Sequence, residues 1–172
     1  MLDFFKKKIK KDAKIAVCAD ENAIAVARVR REKDLPPVLE LCEFQDIENI
    51  SVRDAEIARL TQQYDLDQYE CLSSLELGDY NLLLVEAPDV QPDELRAAIR
   101  WRVKELIDFH IDDAVIDVFE VPAHKAAGNN KMMYAVVAKS NRVKALIAQL
   151  NSANLNLNII DIPELALRNI AA

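Results

Sequence analysis

Apolar runs alternate with polar breaks along the chain, and the period of each run assigns its element. Residues 14–20 (KIAVCAD) and 23–32 (AIAVARVRRE) are β-type runs separated only by Glu21 and Asn22, which predicts a tight hairpin. Pro36 and Pro37 break the chain before a third strand at 38–44, apolar on both faces as in a sheet covered on each side. Ser51, with Asp54 three residues on, predicts a capped helix start, and Ile57, Leu60 and Tyr64 fall on one stripe of that helix. Residues 71–77 alternate, placing Cys71, Ser73, Leu75 and Leu77 on one face, and 81–87 reads as a buried strand after a turn at Gly78–Asp79. Pro92 opens a further helix whose early acids, Asp93 and Glu94, suit its N-terminal dipole. Strands follow at 114–122 and 132–139 around a polar loop at 124–131. Ser140 then starts a helix with Val143, Leu146, Ile147 and Leu150 on one face. A strand at 155–163 alternates Leu155, Leu157 and Ile159 with asparagines, and a last helix runs to Ala172.

These elements group into a β-β-β-α unit and, from residue 81, a β-α-β-β-α-β order, which is the ferredoxin-like one. The break between the two is expected near Tyr64 to Tyr69. The final helix has no glycine, asparagine or proline stop signal, so the chain reads as a piece of something larger.

Composition narrows the chemistry. Only Gly78 and Gly128 occur, where average usage would give roughly twelve glycines. Neither a P-loop nor a Rossmann fingerprint can be built without the glycines that let backbone N–H groups approach a phosphate. Charge is uneven: residues 1–14 hold six lysines against two aspartates, so a total of −7 leaves −11 on the remainder. An acidic body argues against a nucleic-acid platform. Cys18, Cys42 and Cys71 are odd in number and widely spaced, and read as small buried hydrophobes. No run reaches the roughly 18 to 20 apolar residues of a membrane span, and residues 1–11 do not read as a signal peptide, so the protein is expected to stay in the cytoplasm.

The candidate chemistry is sparse. His110 and His124 have no cysteine nearby and predict no zinc site, so no metal is expected. Asp65 with Asp67, and Asp112, Asp113 and Asp117, could serve acid–base or magnesium chemistry, but fit turn formers and helix caps better. Trp101 is unusual: at 100° per residue it lies about 200° from the stripe of Leu95, Ile99, Val103 and Leu106. It either faces a partner, as tryptophan does at interaction hot spots, or seals a joint within the chain. In residues 1–11, Leu2, Phe5 and Ile9 share a helical stripe among lysines, a pattern for peripheral contact with an anionic membrane or for a solvated tail.

The segment at 80–122 carries a specific pattern: E-L-x-x-A-I-x-W from Glu94 to Trp101, the exit Leu106-Ile107-x-Phe109, and an acid-acid-Ala-Val run leading to Asp117. In these residues, and more weakly over most of its length, the chain resembles the MshI family of MSHA type IV pilus biogenesis proteins and, more distantly, PilM. The resemblance implies an RNase H-like, actin-like core lobe (residues 12–66 plus 161–172) with an inserted ferredoxin-like lobe (67–160), preceded by a basic tail at 1–11. It implies a scaffold at the inner face of the inner membrane, binding the cytoplasmic tail of a PilN-like inner-membrane protein between its lobes and open to oligomerisation. Trp101, Ile107 and Phe109 are the expected partner contacts. In such proteins phosphates meet an Asp-x-Gly-Ser/Thr turn in the first hairpin. Here only Asp20 matches; Glu21, Asn22 and Ala23 follow, so this stretch is expected to hold no cofactor and to be no enzyme, with ATP and magnesium left to a longer protein. Two rival readings remain: an actin-like ATPase whose second half is missing, and the cytoplasmic domain of a related type II secretion protein.

Overall fold

The computed structural model describes residues 9–120 and 131–171, so His124 and its loop, with most of the basic tail, lie outside the described residues. The architecture is mixed α/β with two sheets. Five strands form the first, in the order β3-β2-β1-β4-β8: β1 (Lys10–Ala19), β2 (Ala23–Arg30), β3 (Val38–Asp46), β4 (Tyr69–Ser74) and β8 (Asn156–Asp161). β1, β2 and β3 pair antiparallel, whereas β4 and β8 continue the sheet parallel to β1. The second sheet is antiparallel, β5-β7-β6, made of β5 (Tyr80–Glu86), β6 (Ala114–Glu120) and β7 (Met132–Lys139). Four α-helices accompany them: α1 (Arg53–Gln63), α2 (Leu95–Val103), α3 (Ser140–Ser152) and α4 (Pro163–Ala171).

Alternation along the strands builds the first core. Ile15 and Val17 of β1, Ile24 and Val26 of β2, and Tyr69 and Cys71 of β4 point to one face, where they are buried against Ile57 and Leu60 of α1, Leu150 of α3, and Leu66. Thr61, buried on α1, returns its hydroxyl to the Ile57 carbonyl at 2.8 Å, and Ser73 donates to the Val17 carbonyl at 2.7 Å, so neither buried hydroxyl is orphaned. The second core packs Ile99 and Val103 of α2 onto Val85, Met133, Ala135 and Val137.

The chain divides into two compact units, residues up to Glu76 with those from Leu146 onward, and Leu77–Ala145. The expected break near Tyr64 to Tyr69 is therefore displaced to the turn at Gly78, whose φ of +98° is a left-handed conformation that glycine adopts without strain. The expected lobe at 67–160 is divided between the sheets, because β4 and β8 both belong to the first. The β-α-β-β-α-β order is present, but its last strand hydrogen-bonds to β4, and among the described residues the second sheet has three strands and not the four of a ferredoxin-like sheet.

Three local expectations also shift. Asn49, and not Ser51, caps the turn before α1, its side chain accepting from the Ser51 N–H at 2.9 Å. Cys42 is exposed because it lies on the face of the sheet opposite the core, whereas Cys18 is half-buried and Cys71 buried. A register shift opposite Cys71 and Leu72 interrupts the alternation of β8, leaving Ile159 exposed while Leu157 packs on the core.

Ile57 is fully buried, so Ile57→Ala should lower unfolding free energy in urea by about 2–5 kcal/mol. Burial also pushes the Cys71 thiol up from 9.0 to about 12. The unfolded chain releases this proton above pH 9.0 while the folded chain retains it, so stability should fall between pH 9.0 and about 12, by up to ~1.4 kcal/mol per pH unit. Cys71→Ala should flatten that part of the pH profile relative to the parent chain.

Candidate partner-binding site

Asp20 sits in the turn between β1 and β2. Its Oδ1 accepts from the backbone N–H of Asn22 at 2.7 Å and of Ala23 at 2.8 Å, while its own N–H donates to the Ala23 carbonyl at 3.0 Å. The Asn22 carbonyl in turn accepts from Ile47 N–H at 2.6 Å, tying the turn to the end of β3. Amide donors of the kind a phosphate would use are thus already engaged by a carboxylate of the chain itself.

The face of the first sheet opposite its core has a different lining. Register places Ala16 and Cys18 of β1, Ala25 and Ala27 of β2, Cys42 and Phe44 of β3, and Leu72 and Ser74 of β4 there. α4 borders one end of this face, and between them lies a mostly apolar groove of about 430 Å³. Ala19, Ala23, Ala25 and Ala166 give it a shallow floor, Phe44 and Leu167 stand as walls, and Asp20 and Glu76 contribute its carboxylates. Phe44 is 69% and Leu167 65% exposed. The sequence signal for this face was present in the small residues at alternate positions of both hairpin strands, opposite Ile15, Val17, Ile24 and Val26. Reading each run only for total apolarity hid it.

In the second unit Trp101 is 75% exposed, with Lys104 Nζ 5.8 Å from its ring centroid. Its helix is held by Arg96 to Asp117 on β6 at 2.9 Å and by Arg100 to Asp112 at 2.7 Å. Those aspartates, with the caps around His110, have structural partners. The His110 ring accepts from Asp112 N–H at 3.3 Å. Among the described residues no group of three or more His, Cys, Asp or Glu could hold a metal.

Ile107 and Phe109 do not stand beside Trp101 as free contacts. The helix tightens into a 3₁₀ turn at Lys104–Leu106, which swings Leu106 into solvent, and the extended residues that follow put Ile107 and Phe109 against the second core. Lys139 Nζ lies 5.3 Å from the Phe109 ring. Of the three residues expected to touch a partner, Trp101 alone is exposed.

The fold has known counterparts. A chain of the PilM–PilN type IV pilus biogenesis complex superposes with a TM-score of 0.72 at 17% identity, over 87% of this chain and 47% of that one. The cytoplasmic domain of EpsL, an inner-membrane component of the type II secretion system of Vibrio cholerae, superposes at 0.63 and 12% identity, over 87% of this chain and 57% of that one. The chain shares their fold. It spans about half the length of each. A Bacteroides thetaiotaomicron protein with an actin-like ATPase fold superposes at 0.46 and 7% identity, over 99% of this chain and 60% of that one. No family model matches the sequence, and no curated protein matches it. Among the described residues no helix is long and apolar enough to cross a membrane.

Asp20→Ala removes the acceptor for two turn amides at once. It should lower stability by about 1 kcal/mol in chemical denaturation, and Asp20→Asn, which keeps a side-chain oxygen, should recover most of the loss.

Proposed function

We propose that the protein is a cytoplasmic adaptor of type IV pilus assembly, of the MSHA kind, that binds the cytoplasmic tail of a PilN-like inner-membrane component and does not hydrolyse nucleotide through this part of the chain. The observation that carries the reading is Trp101: an indole 75% exposed on a helix whose Ile99 and Val103 are completely buried and whose Leu95 is half-buried against the same core. A rigid aromatic side chain projecting into solvent supplies large contact area at low entropic cost when a partner covers it. The PilM–PilN complex offers a precedent of stated chemistry, since a protein of this fold is there assembled with a pilus component. The engaged Asp20 turn supports the non-nucleotide part, because a carboxylate fills the amide cradle and would repel a phosphate at short range.

EpsL supports a second reading by its own fold likeness: the same adaptor role in a type II secretion machine, with a different membrane tail. The two differ in the tail recognised and not in the chemistry of the site.

Trp101 is the only tryptophan of the chain, so its fluorescence reports directly on the proposed contact. Titration with synthetic cytoplasmic tails of PilN-like and type II secretion inner-membrane proteins should give a saturable blue shift with one class. Trp101→Ala should weaken binding of that class by tenfold or more, measured by calorimetry. Equal affinity of parent and Trp101→Ala chains for every tail would remove the site. Saturable calorimetric binding of magnesium–ATP by this chain would favour the ATPase reading instead.

A further inference from the structure

The groove of the first unit has a chemistry that the sequence itself complements. Its floor is alanine, its walls Phe44 and Leu167, and its ionisable lining carries Asp20 and Glu76 but no lysine or arginine. Glu21 follows Asp20 directly. An occupant that is apolar where it meets the floor and cationic beside Asp20 and Glu21 would complement this lining. Residues 2–9 read Leu-Asp-Phe-Phe-Lys-Lys-Lys-Ile, with three large apolar residues followed closely by three lysines. This is the strongest concentration of positive charge in a chain whose remainder is acidic.

Phe4, Phe5 and the lysines that follow them cannot reach the groove of their own chain. β1 begins at Lys10 and the groove adjoins its far end, at Cys18–Asp20. A strand of that length separates Lys10 from Ala19 by roughly 30 Å at about 3.3 Å per residue. Phe5, five residues before Lys10, reaches back at most about 18 Å even when fully extended. We propose that the Leu2–Ile9 segment of one molecule docks in the Phe44–Leu167 groove of a second copy, giving head-to-tail self-association. The two surfaces in the contact are different parts of the chain, so the interface is heterologous and each copy keeps one unused end. An eight-residue segment buries far less than the ~1,200 Å² of a stable interface, so the contact is weak and concentration-dependent. Lysines against carboxylates further make it sensitive to salt.

Sedimentation velocity of the full chain, from about 10 µM to about 1 mM, should show mass rising with concentration and falling again as salt is raised; a constant monomer mass over that range overturns the proposal. Two variants then test polarity. Phe5→Glu disables the segment, and Leu167→Glu disables the groove at an exposed position, with circular dichroism verifying that both fold. Each alone should weaken association at least tenfold, whereas an equimolar mixture should form dimers that go no further, each partner supplying the half the other lacks. Failure of the mixture to form dimers overturns head-to-tail docking. So does association that survives Leu167→Glu. A third arm uses vesicles containing anionic phosphatidylglycerol: if Phe5→Glu abolishes vesicle binding while leaving self-association unchanged, the segment serves a membrane surface and the proposal fails.

Discussion

Two-residue alternation in β1 and β2 is the constraint from which the rest of the first unit follows. Branched side chains at Ile15, Val17, Ile24 and Val26 share one face, and alanines and Cys18 share the other. The branched face excludes water only when covered, and α1 and α3 cover it. The small-residue face exposes much less apolar area per strand, so the unit tolerates it half-covered. The same pattern that creates a core therefore leaves a shallow apolar surface on the reverse of the sheet. Placing Asp20 at the end of that pattern closes the turn with a carboxylate and gives this surface a negative rim.

The second unit works by a different rule. Among the described residues its sheet has three strands with α2 against them, and Ile99 and Val103 carry the helix side of the packing. With so short a buried stripe, Arg96, Ala97, Trp101 and Arg102 of α2 face solvent, and the arginine–aspartate pairs to Asp112 and Asp117 set its direction more than they stabilise it, since these pairs are exposed. Trp101 is consequently presented on a helix that is oriented from one side only. Exposure of that indole is a property of the whole unit and not of one residue.

Local periodicity made most elements legible. The hairpin, the strand after the paired prolines, the stripe of α1 and the strands at 81–87, 114–122 and 132–139 all correspond to observed elements in their described parts, because each rests on contacts within a few residues of sequence. What local pattern could not supply was the sheet to which a strand belongs. β8 has the alternation of a ferredoxin-like fourth strand, yet its backbone pairs with β4, with Glu70 opposite Asn156 and Leu72 opposite Ile159. The angular reading of α2 placed Trp101 on the exposed side correctly, but it assumed 100° per residue beyond Val103. The 3₁₀ tightening there exchanged Leu106 for Ile107 and Phe109 in the core. The groove is not legible in local pattern for a related reason: its residues come from the hairpin, β3, the segment after β4 and α4, and only the assembled sheet brings them together.

The placement of β8 has a consequence for biosynthesis. β4 is flanked on one side by β1 as soon as the hairpin and α1 are made, but its other edge waits for a strand encoded after the whole Leu77–Ala145 unit. At 5–20 residues per second a ribosome needs roughly 3–14 s to make those intervening residues. During that interval a nascent chain carries an open parallel edge, a template for pairing with a neighbour on the same messenger. The intervening unit has its own core and can fold meanwhile, so the vulnerable interval is set by translation speed and not by the intrinsic rate at which either unit collapses.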